Sequence, residues 1–275
     1  MRSTFGARVM RFLTDLPGPV VFAGFLVWFI VWSIAAAVVF DLTVPVDSEA
    51  NLALVAGPII PALGAMFAFL AAFAINTEWV QLRQAQNAAD LEADSAARFA
   101  LIAESPGLDG PMLRRDLQRY LRHVVEDEWP QLPAGRGSQR ARDALAEIFR
   151  ETREIVAAPD IGQVSGTDLL QAVDSMVSLR RDRLSLARRY MPPALLLLTF
   201  FSGVVLCLDA VLVALPHQQW VSVTVGGIVI LTALALALVV AVSAPYRGTI
   251  SVEVDPIAIV LDEVTQGDLG AIGPP

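Results

Sequence analysis

The chain contains no lysine, one cysteine and two histidines in 275 residues. Cys207 has no partner for an internal disulfide, and His123 and His217 are too far apart to form a zinc or iron–sulfur ligand spacing. Neither a metal nor a cofactor is expected. Every basic residue is an arginine, and the formal net charge of −8 gives no electrostatic case for binding nucleic acid. Glu126, Asp127 and Glu128 are adjacent carboxylates, but neighbours on a helix point in different directions and no nucleophile accompanies them. An enzyme is therefore not expected.

The most telling scarcity is of charge. No Asp, Glu or Arg occurs in residues 16–40, 50–77, 190–208 or 210–246. About 20 such residues suffice for a helix to cross hydrocarbon. The sequence predicts an all-α integral membrane protein with spans at 16–40, 52–77, 190–215 and 220–243. The first run is too long for a signal-peptide core, so it reads as an uncleaved span. Arg2, Arg8 and Arg11 precede it, the loop after it carries only acids, and sixteen of the twenty arginines fall between Arg83 and Arg189. Basic residues stay on the cytoplasmic side. Residues 1–15, a helical domain at 78–189 and a C-terminal segment at 244–275 are thus expected in the cytoplasm.

In the middle segment, strong helix formers run from Glu78 to Glu104, so the second span is expected to continue as one rod until Ser105-Pro106-Gly107. Leu113, Leu117, Tyr120, Leu121 and Val124 recur at helical spacing up to Pro130. A third helix begins after Ser138, and a fourth begins near Thr167 and leads into the third span. Past the last span, Ile250, Val252 and Val254 alternate with polar residues as in a short extended segment, and Asp255-Pro256 reads as an N-cap and first helical residue.

Four segments together resemble the bacterial bestrophin-like membrane proteins, relatives of the bestrophin anion channels. They are Phe73 to Ala93 (FAINTEWVQLRQAQNAADLEA), Tyr120 to Pro130 (YLRHVVEDEWP), Arg180 to Leu184 (RRDRL) with the prolines that follow, and Pro245 to Gly248 (PYRG). Tyr120, Glu128, Trp129, Pro130, Pro245 and Gly248 are the matching motif positions. The resemblance implies a homo-oligomer, a pentamer with an axial pore lined by the second span, and inorganic anions as the passing species. It does not extend to calcium, because the acidic cluster that binds it in animal bestrophins is missing after the last span.

In the second span, Gly57-Pro58, Pro61 and Gly64 loosen the helix. Ile60, Leu63, Phe67 and Leu70 fall on one stripe beyond this break. In a ring they would form an apolar neck that gates by dewetting; alternatively they are ordinary packing residues. Asp209, the one ionisable residue inside the spans, reads either as a structural or interfacial group or as part of an ion path. Arg180, Arg183, Arg188 and Arg189 allow three readings: a pore entrance, lipid-headgroup contact, or pairing with acids such as Glu126 and Glu128. The competing class is a non-conducting scaffold or sensor whose cytoplasmic helices bind a partner.

Overall fold

The computed structural model describes residues 12–157, 163–189, 191–214, 218–247 and 250–267. Among these the protein is entirely helical apart from turns and loops. The helices are α1 (Gly18–Thr43), α2 (Val46–Ala56), α3 (Ile60–Ala103), α4 (Gly110–Arg122), α5 (Gln139–Ala157), α6 (Gln163–Ala187), α7 (Pro193–Ala214), α8 (Gln218–Val242) and α9 (Asp255–Gln266). Four stretches are long and apolar enough to cross a membrane: Gly18–Thr43, Asn51–Ala103, Pro193–Ala214 and Val223–Val242. The chain is an all-α integral membrane protein.

It divides into two compact units, Met1–Val80 with Tyr190–Ser251, and Gln81–Arg189 with Val252–Pro275. In the first, α1 packs on α7 and α8. Phe29, Cys207, Val211, Val229, Ala233 and Leu236 fill the space between them. Phe200 meets Trp28 at 4.7 Å and Phe29 at 5.8 Å between ring centroids. The outward surface is equally apolar, with Val31, Phe69, Leu197 and Leu231 all more than half exposed. A helix closes its backbone hydrogen bonds within the segment and can therefore carry such a surface through lipid. Gly57–Ile59 forms a 3₁₀ turn between α2 and α3, where Pro58 interrupts the α-helical ladder.

The second unit is built from the distal part of α3 with α4, α5, α6 and α9. A buried face of α3 made mostly of alanines, including Ala93, Ala96 and Ala100, joins Leu113, Leu117, Ile148 and Val173 in one core. Asp109 caps α4, its Oδ1 accepting from the Met112 N–H at 3.1 Å. The apolar spacing predicts a helix up to Pro130. Instead α4 ends at Arg122 and passes into a π-helical turn, His123–Glu128, and then a 3₁₀ turn, Trp129–Ala134. Val124 and Glu128, four residues apart on one face of this turn, are both fully buried.

Residues 251–253 carry no regular secondary structure, and one further expectation is corrected. Val254 occupies the N-cap of α9 without a side-chain bond, and Asp255 is the first helical residue, where its charge complements the helix dipole.

Candidate functional site

The second unit encloses a neutral cluster of two arginines and two glutamates contributed by three elements. Glu92 comes from α3, Glu128 from the π turn, and Arg180 and Arg183 from successive positions on one face of α6. Arg183 and both glutamates are fully buried, and Arg180 is 7% exposed. Arg183 Nε donates to Glu92 Oε2 at 2.7 Å, and its Nη2 donates to Glu92 Oε1 at 3.1 Å and to Glu128 Oε1 at 2.9 Å. Arg180 Nε donates to Glu128 Oε1 at 3.1 Å, and its Nη2 donates to Glu128 Oε2 and to the Ser138 carbonyl. The planar fork of arginine suits this two-sided pairing in a way that an ammonium would not.

Neighbours complete the shell. Tyr120 donates its hydroxyl to Glu92 Oε1. The Ser138 N–H donates to Glu128 Oε2 at 2.9 Å. The Trp129 ring covers the Arg183 guanidinium, 5.4 Å from its centroid. Gly137 permits the loop to come this close: a Cβ there would meet Leu184 Cδ2 at 3.0 Å and Glu128 Oε2 at 3.1 Å. Burial alone would weaken the hold of Arg183 on its proton. The carboxylates of Glu92 and Glu128 outweigh burial, so the guanidinium is held above its ordinary range. Burial first, and then the negative Glu92, push the Tyr120 phenol well above the usual value. Arginine thus stays charged and tyrosine stays neutral at any physiological pH. Such a cluster braces α3, the π turn and α6 against one another; it presents no free base, nucleophile or open ligand position. Arg183 Nη1 is the one buried donor in it without a hydrogen-bond partner.

The remaining sequence candidates occupy different surroundings. Arg188 is exposed, its Nε donating to the Gly135 carbonyl at 3.1 Å, and Arg189 is exposed at the edge of a 280 Å³ cavity with Gln84 and Asn87. Pro130 lies at the start of the 3₁₀ turn. Pro245 is buried in the first unit, and Gly248 lies outside the described residues. Asp209 is buried on α7, and its Oδ2 has no hydrogen-bond partner. Ser202, two turns earlier on α7, donates its hydroxyl to the Thr199 carbonyl of its own helix at 2.8 Å.

The stripe read as a neck turns toward its own bundle. Phe67 and Leu70 are buried, and Phe67 packs on Ala71 and Leu206 with Leu63 alongside. Ile60 is half-buried on the same side. The physical reason is a notch at Gly203, whose missing side chain leaves room for the Phe67 ring: a Cβ there would lie 3.2 Å from Phe67 Cε2. Met66, Phe69 and Phe73, on an adjoining face, are exposed.

Sequence reasoning missed Glu92, the partner that makes Arg183 tolerable. A signal was present: Ala85, Ala88, Ala89, Ala93 and Ala96 mark a buried helical face, and Glu92 lies on it. An acid among alanines on a buried stripe requires a cation opposite.

Comparison with known proteins agrees with this architecture. A bacterial bestrophin homologue from Klebsiella pneumoniae is similar over 92% of this chain and 99% of its own, with a TM-score of 0.66 at 14% identity. A singly substituted form of that homologue gives a TM-score of 0.65 at 14% identity, over 92% of this chain and 99% of its own. At this identity the likeness concerns the fold. No curated protein matches the chain. The model of the Bestrophin-like domain matches residues 27–257, and the chain therefore belongs to the Bestrophin-like family.

Proposed function

We propose that this protein is a channel-like homo-oligomer, a pentamer by resemblance, that passes small inorganic anions along an axis lined by the exposed face of α3. Family membership supports the class. The observation that carries the reading is the surface of α3 just beyond the Gly57-Pro58 break. Met66, Phe69 and Phe73 are 53%, 69% and 52% exposed in a single chain, and Ala62, Ala65 and Asn76 share their side of the helix.

Around an axis, this face would supply large apolar side chains separated by small ones, the pattern of a constriction that dewets. Ile60, Leu63, Phe67 and Leu70 then support the helix from behind. The reading keeps both termini and the second unit on the cytoplasmic side of a bacterial inner membrane, supported by the arginine distribution. Arg188 and Arg189, exposed shortly before the third span, remain available to attract anions or lipid headgroups, whereas Arg180 and Arg183 are committed to glutamates. Selection among ions would thus fall to the neck and to exposed arginines. Asp209 stays a packing group in this reading, since an acid facing an anion path would oppose its traffic.

The test is single-channel recording from the purified protein in planar bilayers with chloride as the test ion. Phe69→Ala should raise conductance or leak current with the oligomer size unchanged. Phe67→Ala should lower thermal stability without opening the path. An unchanged current from Phe69→Ala, or no current from the wild type, would remove the assignment.

A further inference from the structure

The second unit carries a groove of about 820 Å³ between α5 and α6. Leu145, Phe149, Val177 and Leu184 form its apolar floor, and Arg142, Arg181 and Arg188 stand along it, with Asp174 the one carboxylate in its lining. Arg142 and Arg181 are exposed and make no ion pair among the described residues, whereas Arg140 and Arg150 nearby both pair with acids. From Asp174 to Arg188 the groove follows α6 for about 21 Å at the ordinary helical rise. Exposed cations beside apolar carbon call for an occupant that is itself a narrow apolar ridge flanked by acids.

The same chain offers such a ridge elsewhere. On α9, Ile257, Val260 and Val264 are buried, and Gln118 Nε2 donates to the Val264 carbonyl at 2.9 Å, which holds that side against α4. The outward side presents Asp255, Ile259, Asp262 and Gln266 at helical spacing, with Ile259 56% exposed and no basic residue anywhere in the helix. At 12 residues α9 is about 18 Å long, which matches the groove.

We infer that the α5–α6 groove of one copy receives the outward face of α9 from a second copy, with Ile259 on the apolar floor and Asp255 and Asp262 beside the groove arginines. The chain's own α9 is already held on α4 through its other face. Groove and ridge are different surfaces, so the contact is heterologous: each copy gives one and receives one, and such contacts close into a ring when the rotation permits. The inference rests on the assembly of several copies proposed above. It adds which surfaces meet and the charge complementarity that selects them.

The experiment uses full-length protein. Two differently tagged chains are co-expressed, one carrying Ile259→Cys and the other Ala146→Cys, a substitution at an exposed groove position, with the buried Cys207 retained. The pair is oxidised after purification. A disulfide joining the two tags can arise only between copies, and its yield should exceed by about tenfold that of Ile259→Cys with Arg140→Cys, since proximity sets the effective thiol concentration. Arg181→Glu should lower the yield, and adding Asp262→Arg should restore it. Light scattering on the same samples separates the two claims. An oligomer without the joined product overturns this inference and leaves the assembly standing. A monomer overturns both.

Discussion

Arg183 has no exposed surface, and four groups around it, Glu92, Glu128, Tyr120 and Trp129, are arranged about its charge. Replacing Arg183 with Ala would leave Glu92 buried without its cation, a loss of about 3–5 kcal/mol by analogy with other buried pairs. The expected outcome is a clear fall in the unfolding midpoint of the detergent-solubilised protein, read by circular dichroism. Glu92→Leu combined with Arg183→Met should cost less than the sum of the two single changes: the Tyr120 hydroxyl loses its acceptor, but no buried charge is left unpaired, since Glu128 keeps Arg180. Additive losses would mean that the pair is not coupled. Of this cluster, Arg180, Arg183 and Glu128 were legible in the sequence as charges with a stated pairing option. Glu92 was not, since 91 positions separate it from Arg183 and only the fold brings the two together.

At the scale of the helices, α4 and α5 are joined by a titrating contact. Burial first, then a hydrogen bond shared with Asp116 and the negative charges of Asp116 and Glu147, raise the Glu151 carboxyl to about 7, with Arg119 opposing. The native state therefore holds this proton more tightly than the unfolded chain does. The stabilisation is complete below the ordinary value of 4.5 and is lost as pH rises through about 7. Glu151→Gln, which keeps a donor toward Asp116 and removes the charge, should flatten that part of the stability profile and leave the variant more stable than wild type at pH 8. A wild-type profile that rises across this window would contradict the assignment. Within the membrane unit, α7 and α8 approach closely at Gly203: an added Cβ would lie 2.7 Å from Thr232 Cγ2. Gly203→Ala should cost about 1–3 kcal/mol through overpacking, and Thr232→Ser, which deletes that methyl, should recover part of it. The four spans were legible because long uncharged runs permit little else. Which face of α3 turns inward was not, because a helix that is apolar all round carries no periodicity to read; the missing side chain of Gly203 decides it by admitting Phe67. The π turn was invisible for a related reason, since nothing in HVVEDE marks a widened helix: Val124 and Glu128 share a face in an ordinary α-helix as well.

For the whole molecule, everything turns on what faces α3. A single chain leaves Met66, Phe69 and Phe73 uncovered, and lipid, a neighbouring copy or a water-filled axis could each meet them. Membership of the Bestrophin-like family favours the axis, and the charge-matched groove and α9 ridge describe how copies would be held around it. The most direct test is single-particle electron cryomicroscopy of the purified protein in lipid nanodiscs. A closed ring with Met66, Phe69 and Phe73 pointing to a continuous central path is the predicted result. A monomer or dimer, or a ring in which that face of α3 is turned to lipid, would contradict the account.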